Sequence, residues 1–140
     1  MKKIYLLLLT LFFAVAISTN AQTYKVIVNN SNPTTSLTVA DVSNYFLKKR
    51  LNWASGVEVV PVDLSSRSSV REVFSKNIHN KTTAQVRAYW QQSVFAGKAT
   101  PPTEMETDEK VIEFVKANQG AIGYVSAGAN TAGVKVITVN

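Results

Sequence analysis

Apolar and polar positions along this chain change period several times, and each change marks an element. Residues 24–28, Tyr-Lys-Val-Ile-Val, alternate and are β-branched, which predicts a first strand. Asn29 to Pro33 is turn chemistry. Val39, Val42, Tyr45 and Phe46 then recur at helical spacing behind Thr38, an N-cap with Asp41 in capping-box position. That helix is expected to reach about Lys48, with Lys48, Lys49 and Arg50 in a last turn where positive charge suits the dipole. Residues 57–62 predict a second strand, and Pro61 within them points to an edge or a strand end.

Asp63 to Ser68 is polar, and Ser68 or Ser69 can cap the next helix, whose inward face would be Val70, Val73, Phe74 and Ile78. Thr82 or Thr83 opens a longer helix carrying Val86, Tyr89, Trp90 and Phe95 and ending at Gly97. Pro101-Pro102 reads as an irregular crossing. Thr107 caps a fourth helix, with Asp108 and Glu109 in its first turn and Val111, Ile112, Phe114 and Val115 facing in. Gly120 stands where a left-handed cap would end that helix, and Gly123 permits close approach to a buried strand. Residues 121–125 and 134–139 predict the closing strands around a glycine-containing turn at 128–133. Helices set between short buried strands predict an α/β fold, a three-layer αβα sandwich with its sheet covered on both faces. No repeat, linker or low-complexity segment divides residues 22–140, which are expected to form one domain.

The first residues follow a different rule. Lys2 and Lys3 precede an apolar stretch broken only by Thr10, and Thr19-Asn20-Ala21 offers small residues for cleavage. The apolar core is about 14 residues, short of the roughly 20 that span a membrane. Residues 1–21 are therefore expected to be a signal peptide and the remainder periplasmic or secreted; the alternative is an uncleaved anchor. The absence of cysteine excludes disulfides and a lipid anchor on cysteine. Setting Lys2 and Lys3 aside leaves 13 of the 15 basic residues against 9 acidic ones, a modest excess that favours anionic partners. The basic residues are scattered apart from Lys48-Lys49-Arg50, without the aromatic interleaving of single-strand binders, so nucleic acid is not expected as a partner.

Candidate chemistry concentrates after the second strand: Ser65, Ser66, Arg67, Ser68, Ser69 and Arg71. Ligands of open α/β sheets bind outside the carboxyl ends of strands. A helix start there presents free N–H groups to an oxyanion such as phosphate, with hydroxyls and a guanidinium in support. The competing reading makes Ser68 an ordinary N-cap and leaves Arg71 on a solvated helix face. His79, the single histidine, reads as solvated or as a C-terminal capping group. With one histidine and no cysteine no ordinary metal set exists, and no cofactor or catalytic group is expected. Glu104, Glu106, Asp108 and Glu109 cluster at a helix start, where the dipole accounts for them. Trp53, beside Gly56, reads as turn or core packing, with exposure the alternative.

Taken in order, these segments resemble the phosphate-binding proteins of ABC transporters. The resemblance rests on residues 26–29 followed by Asn32-Pro33, on Leu37-Thr38 leading into Tyr45-Phe46-Leu47-Lys48-Lys49, on the Trp53 to Gly56 turn, and on Phe74, Trp90 and Gly120 to Val125. It covers essentially all of residues 22–140. It implies one lobe of a type 2 periplasmic-binding-protein fold, whereas the family has two lobes. Ser68 matches the serine of the family's Ser-Gly-Thr anion loop. Ser69 and Val70 replace the glycine and threonine, and Leu64 stands where the family has arginine. The implied function is non-enzymatic capture of phosphate or a similar anion, with an ABC transporter permease or a second lobe from another chain as partner. The alternative is an interaction protein that keeps the lobe without ligand binding and pairs with a protein partner.

Overall fold

The structure, a computed structural model, describes residues 23–140; the expected signal segment lies outside the described residues. Six strands make one mixed sheet: β1 (Tyr24–Val28), β2 (Ser36–Leu37), β3 (Val60–Leu64), β4 (Thr103–Met105), β5 (Ala121–Ser126) and β6 (Lys135–Val139), in the order β2-β6-β1-β5-β3-β4. β1 runs antiparallel to both its neighbours, while β3 is parallel to β5 and β4. The carboxyl ends of β3 and β5 consequently open on the same rim.

β2 and β4 were not expected, because two or three residues are too few to show a period. The second strand also begins later than residue 57. Its first β-branched positions are used by a local turn, in which Trp53 donates its N–H to the Val57 carbonyl at 2.8 Å and Val59 donates to Leu51 at 2.8 Å. β3 is an interior strand, so Pro61 marks its start rather than an edge. Pairing with β4 begins only at Val62, one residue on, so the missing proline N–H leaves no gap in the ladder.

The helices are α1 (Val39–Phe46), α2 (Ser69–Phe74), α3 (Thr83–Phe95) and α4 (Asp108–Ala117), and α2 continues into a π-helical turn at Ser75–His79. Thr38 and Thr82 close full capping boxes with Asp41 and Gln85, and Thr107 accepts from the Lys110 N–H. α1 stops two residues before the expected end. Lys48 adopts the left-handed region at φ 54°, so the basic triplet leaves the helix and Arg50 folds back onto Asp41 at 2.9 Å.

Two apolar faces of the sheet are covered, which establishes the three-layer arrangement. On one, the Phe74 ring of α2 stacks on Tyr124 of β5 at 3.7 Å between centroids and meets Phe46 of α1 edge-on at 4.9 Å. On the other, α4 lies so close to β5 that a methyl on Gly123 would come within 2.8 Å of Val111. Gly120 is not a left-handed cap, since the glycines with positive φ are Gly56, Gly97 and Gly133. α4 ends instead at Asn118, whose side-chain amide donates to the Phe114 carbonyl at 2.7 Å. Trp53 is buried, its Nε1–H donating to the Gly120 carbonyl at 2.9 Å. Phe95 is 95% exposed: five positions after Trp90, it lies off the helix face that holds Val86 and Trp90.

His79 is neither solvated nor a cap. Its ring meets Phe74 edge-on at 5.8 Å, and Nδ1 lies 2.8 Å from the Ser43 hydroxyl, tying the π turn to α1. Burial, reinforced by Lys81, Lys49 and Arg71, holds its pKa down at about 4, below the ordinary 6.5. The unfolded chain therefore binds this proton first, and stability present above pH 6.5 is lost as the pH falls towards 4. Urea unfolding at the two ends of that window should show a loss on the order of 2–3 kcal/mol attributable to this ring. Most of it should vanish in His79→Gln. An unchanged acid loss in that variant would assign the effect to carboxylates.

Candidate functional site

The loop after β3 is built mostly from its own serines. Ser65 is buried and donates its N–H to the Met105 carbonyl of β4 at 2.9 Å, which fixes the loop to the sheet rim. Its hydroxyl accepts from the Arg67 N–H at 3.4 Å, and the Ser68 N–H returns to the Ser65 carbonyl at 2.9 Å. Ser68 is the N-cap, accepting from the Arg71 N–H. Two of the four hydroxyls are therefore used internally. Among the described residues, the N–H groups of Ser66, Ser69 and Val70 meet no protein acceptor, and Arg67 forms no ion pair. Ser66, Arg67 and Ser69 are exposed at that opening.

Arg71 is not on a solvated face. It turns in behind the loop, donating from Nη1 to the Leu64 carbonyl at 2.9 Å and to Glu104 Oε1 at 2.5 Å, while Nη2 stands 3.7 Å from Asp63 Oδ2. Tyr124 completes the cluster by donating its hydroxyl to Asp63 Oδ1 at 2.5 Å and accepting from the Leu64 N–H at 3.3 Å. Burial pushes Asp63 up from the ordinary carboxylate range, and Arg71 and Tyr124 counter it. Burial also opposes the Arg71 charge, but Asp63 and Glu104 more than offset this and hold its pKa above the usual value. Glu104 is thus a partner of Arg71 on β4, and the helix dipole does not account for it. Asp108, by contrast, does sit in the first turn of α4 and accepts the Ser126 N–H at 3.1 Å.

A cleft of about 160 Å³ opens beside Ser66 and Arg71 and is closed by Thr83, Arg87, Trp90, Pro101 and Glu104. Its wall from α3 went unread in the sequence. Arg87 lies one residue beyond the buried Val86 and forms no ion pair among the described residues, so its charge faces the opening unneutralised. The Thr83 position just inside a capping box was the available signal, since residues of a first turn face whatever the helix start faces.

The Ser43–His79 contact has the look of a nucleophile and base. The base is held at low basicity by burial, and among the described residues its ring makes one hydrogen bond, to Ser43. It serves as a bridge between helices. Among the described residues no three His, Cys, Asp or Glu side chains gather as a metal set, and no helix is long and apolar enough to cross a membrane.

No protein-family model matches this sequence, and no curated protein matches it. Solved structures do match in fold. One, assigned as a phosphate ABC transporter substrate-binding protein from Clostridium perfringens and holding phosphate, aligns at a TM-score of 0.66 with 20% identity. An ABC-type phosphate transport receptor from Vibrio cholerae aligns at 0.67 with 18% identity, and PstS from Borrelia burgdorferi at 0.66 with 17%. Each alignment takes in 84% of this chain but only 44%, 46% and 47% of those chains, so the protein spans less than half the length of the structures it matches. The chain therefore has the fold of a single lobe of a phosphate-type substrate-binding protein.

Proposed function

We propose that this lobe binds a small oxyanion, phosphate or one of its class, at the opening formed by Ser66, Arg67 and Ser69, without catalysing a reaction. The observation that carries the reading is the set of unpartnered N–H groups at Ser66, Ser69 and Val70, beside a cleft at the carboxyl end of β3. A fold neighbour holds phosphate, which supports the same ligand class for this chain. Ser65, Ser68 and Arg71 then shape and support the loop, the charge of Arg71 being already taken up by Asp63 and Glu104.

Charge-assisted hydrogen bonds contribute about 1.5–3 kcal/mol each. Association opposes them by roughly 4–15 kcal/mol. An open site with three or four such contacts binds around millimolar. Efficient capture accordingly requires a second lobe from another chain. In this reading the protein works outside the cytoplasmic membrane after loss of residues 1–21, and hands its anion to an ABC transporter permease.

With ~20 mM phosphate against a Kd of about 1 mM, mass action gives about 1.8 kcal/mol. That corresponds to a rise of roughly 5–9 °C in the unfolding midpoint for a chain of this size. Ser66→Ala with Arg67→Ala should remove most of the rise, and chloride at equal ionic strength should not produce it. Equal shifts with chloride would rule out a specific site.

One observation favours the second reading, an interaction protein without a ligand. Glu104, with its side chain 49% exposed, already occupies Arg71 from the cleft side. If the cleft is an anion seat, Glu104→Gln should enlarge the phosphate shift; if it is a closed ion pair at a protein interface, that variant should leave phosphate without effect.

A further inference from the structure

The cleft does not end at Arg87. Arg87, Trp90 and Pro101 also form one wall of an open apolar groove of about 490 Å³, continued along α3 by Gln91, Val94 and Phe95. Val94 is 51% exposed and Phe95 95%, so the face is bare among the described residues. A polar recess and an apolar groove thus share a wall, with an unneutralised guanidinium at the junction. Together their size falls within the roughly 300–1,000 Å³ of small-molecule sites.

We infer that the ligand is a soluble amphipathic anion: an organic phosphate or similar ester whose oxyanion head sits at the loop amides, with Ser66 on the cleft side towards Arg87, and whose apolar substituent lies along Trp90, Val94 and Phe95. This inference rests on the oxyanion reading above and extends it to a substrate class. Charge selects the occupant. An uncharged apolar molecule would leave Arg87 facing the recess without a counter-charge, and a bare inorganic anion would leave the groove empty. A membrane surface fits less well, because capture there relies on clusters of about 4–8 Lys and Arg. The groove lining holds one arginine and no lysine. Glu104 is on the recess wall and shares Arg71 with Asp63, so its repulsion of the head group is only partly offset and opposes the attraction of Arg87.

Each methylene reaching the groove should tighten binding by up to about 4-fold. Titration calorimetry of the full chain with hexyl phosphate, inorganic phosphate and hexanol tests this. Hexyl phosphate should bind at least ~10-fold tighter than inorganic phosphate, allowing for an open groove that covers only part of the tail. The ratio should fall towards one in Phe95→Ser, a substitution at a position exposed enough to spare the fold. Equal binding of hexyl and inorganic phosphate would overturn the inference and leave the oxyanion reading standing; no binding of either would remove both. Binding of hexanol as tight as that of hexyl phosphate, or a preference for phosphatidic acid vesicles over hexyl phosphate, would also overturn it.

Discussion

Arg71→Met is expected to lose roughly 3–5 kcal/mol of stability, because it strips the charge partner from a buried carboxylate. The side chain looks replaceable on a surface helix, yet it is buried and bridges three acceptors: the Leu64 carbonyl, Asp63 and Glu104. Asp63 suffers most from its removal, since Tyr124 alone would remain to satisfy its carboxylate. Glu104→Gln should cost under ~1 kcal/mol, as half-exposed charges have water as an alternative. The double variant Asp63→Asn with Arg71→Met should recover much of the loss. Urea midpoints at constant m-value read all three. A loss under ~1 kcal/mol for Arg71→Met would mean that the cluster is solvated and that the rim is not built on it.

Gly120→Ala should be comparably damaging, by roughly 3 kcal/mol or more, the upper range for overpacking. A methyl there would stand 1.9 Å from the Glu58 carbonyl oxygen and 3.1 Å from its carbon, both backbone atoms that cannot swing aside. The same residue's carbonyl accepts from Trp53 Nε1 and from the Val60 N–H, so a shift would loosen the turn and the first rung of β3 together. Gly123→Ala should be milder, because its obstacles are the side-chain methyls of Val111 and Val62. If Gly120→Ala were within ~0.5 kcal/mol of wild type, the contact between this turn and β3 would be much looser than described.

These two residues also show where the sequence was readable. The capping threonines, the apolar helix faces and the strand runs depend on neighbours within four positions, and they were legible. Gly120 was recognised as special for the wrong reason. Its constraint comes from Glu58, far away in sequence, and no local period reports such an approach. Arg71 is the same case, since its burial depends on Glu104, 33 residues on, carried by a strand too short to detect. Phe95 stands five positions after Trp90 and so falls off the Val86–Trp90 face; Val94 does keep helical spacing with Trp90 yet is half exposed, because spacing cannot tell where the packed body stops. The serine loop was visible from composition, while the wall from α3 that turns it into a cleft was not.

The central claim is that a small oxyanion is held by the open amides of the loop after β3. Amide shifts in a nitrogen–proton NMR titration with phosphate test it most directly. The account predicts saturable movement, with a common Kd around millimolar, at Ser66, Ser69 and Val70. The amides of Ala40 and Glu109, which lie in the first turns of α1 and α4, should stay still. Movement spread evenly over all helix starts, or none at those three amides, would contradict it.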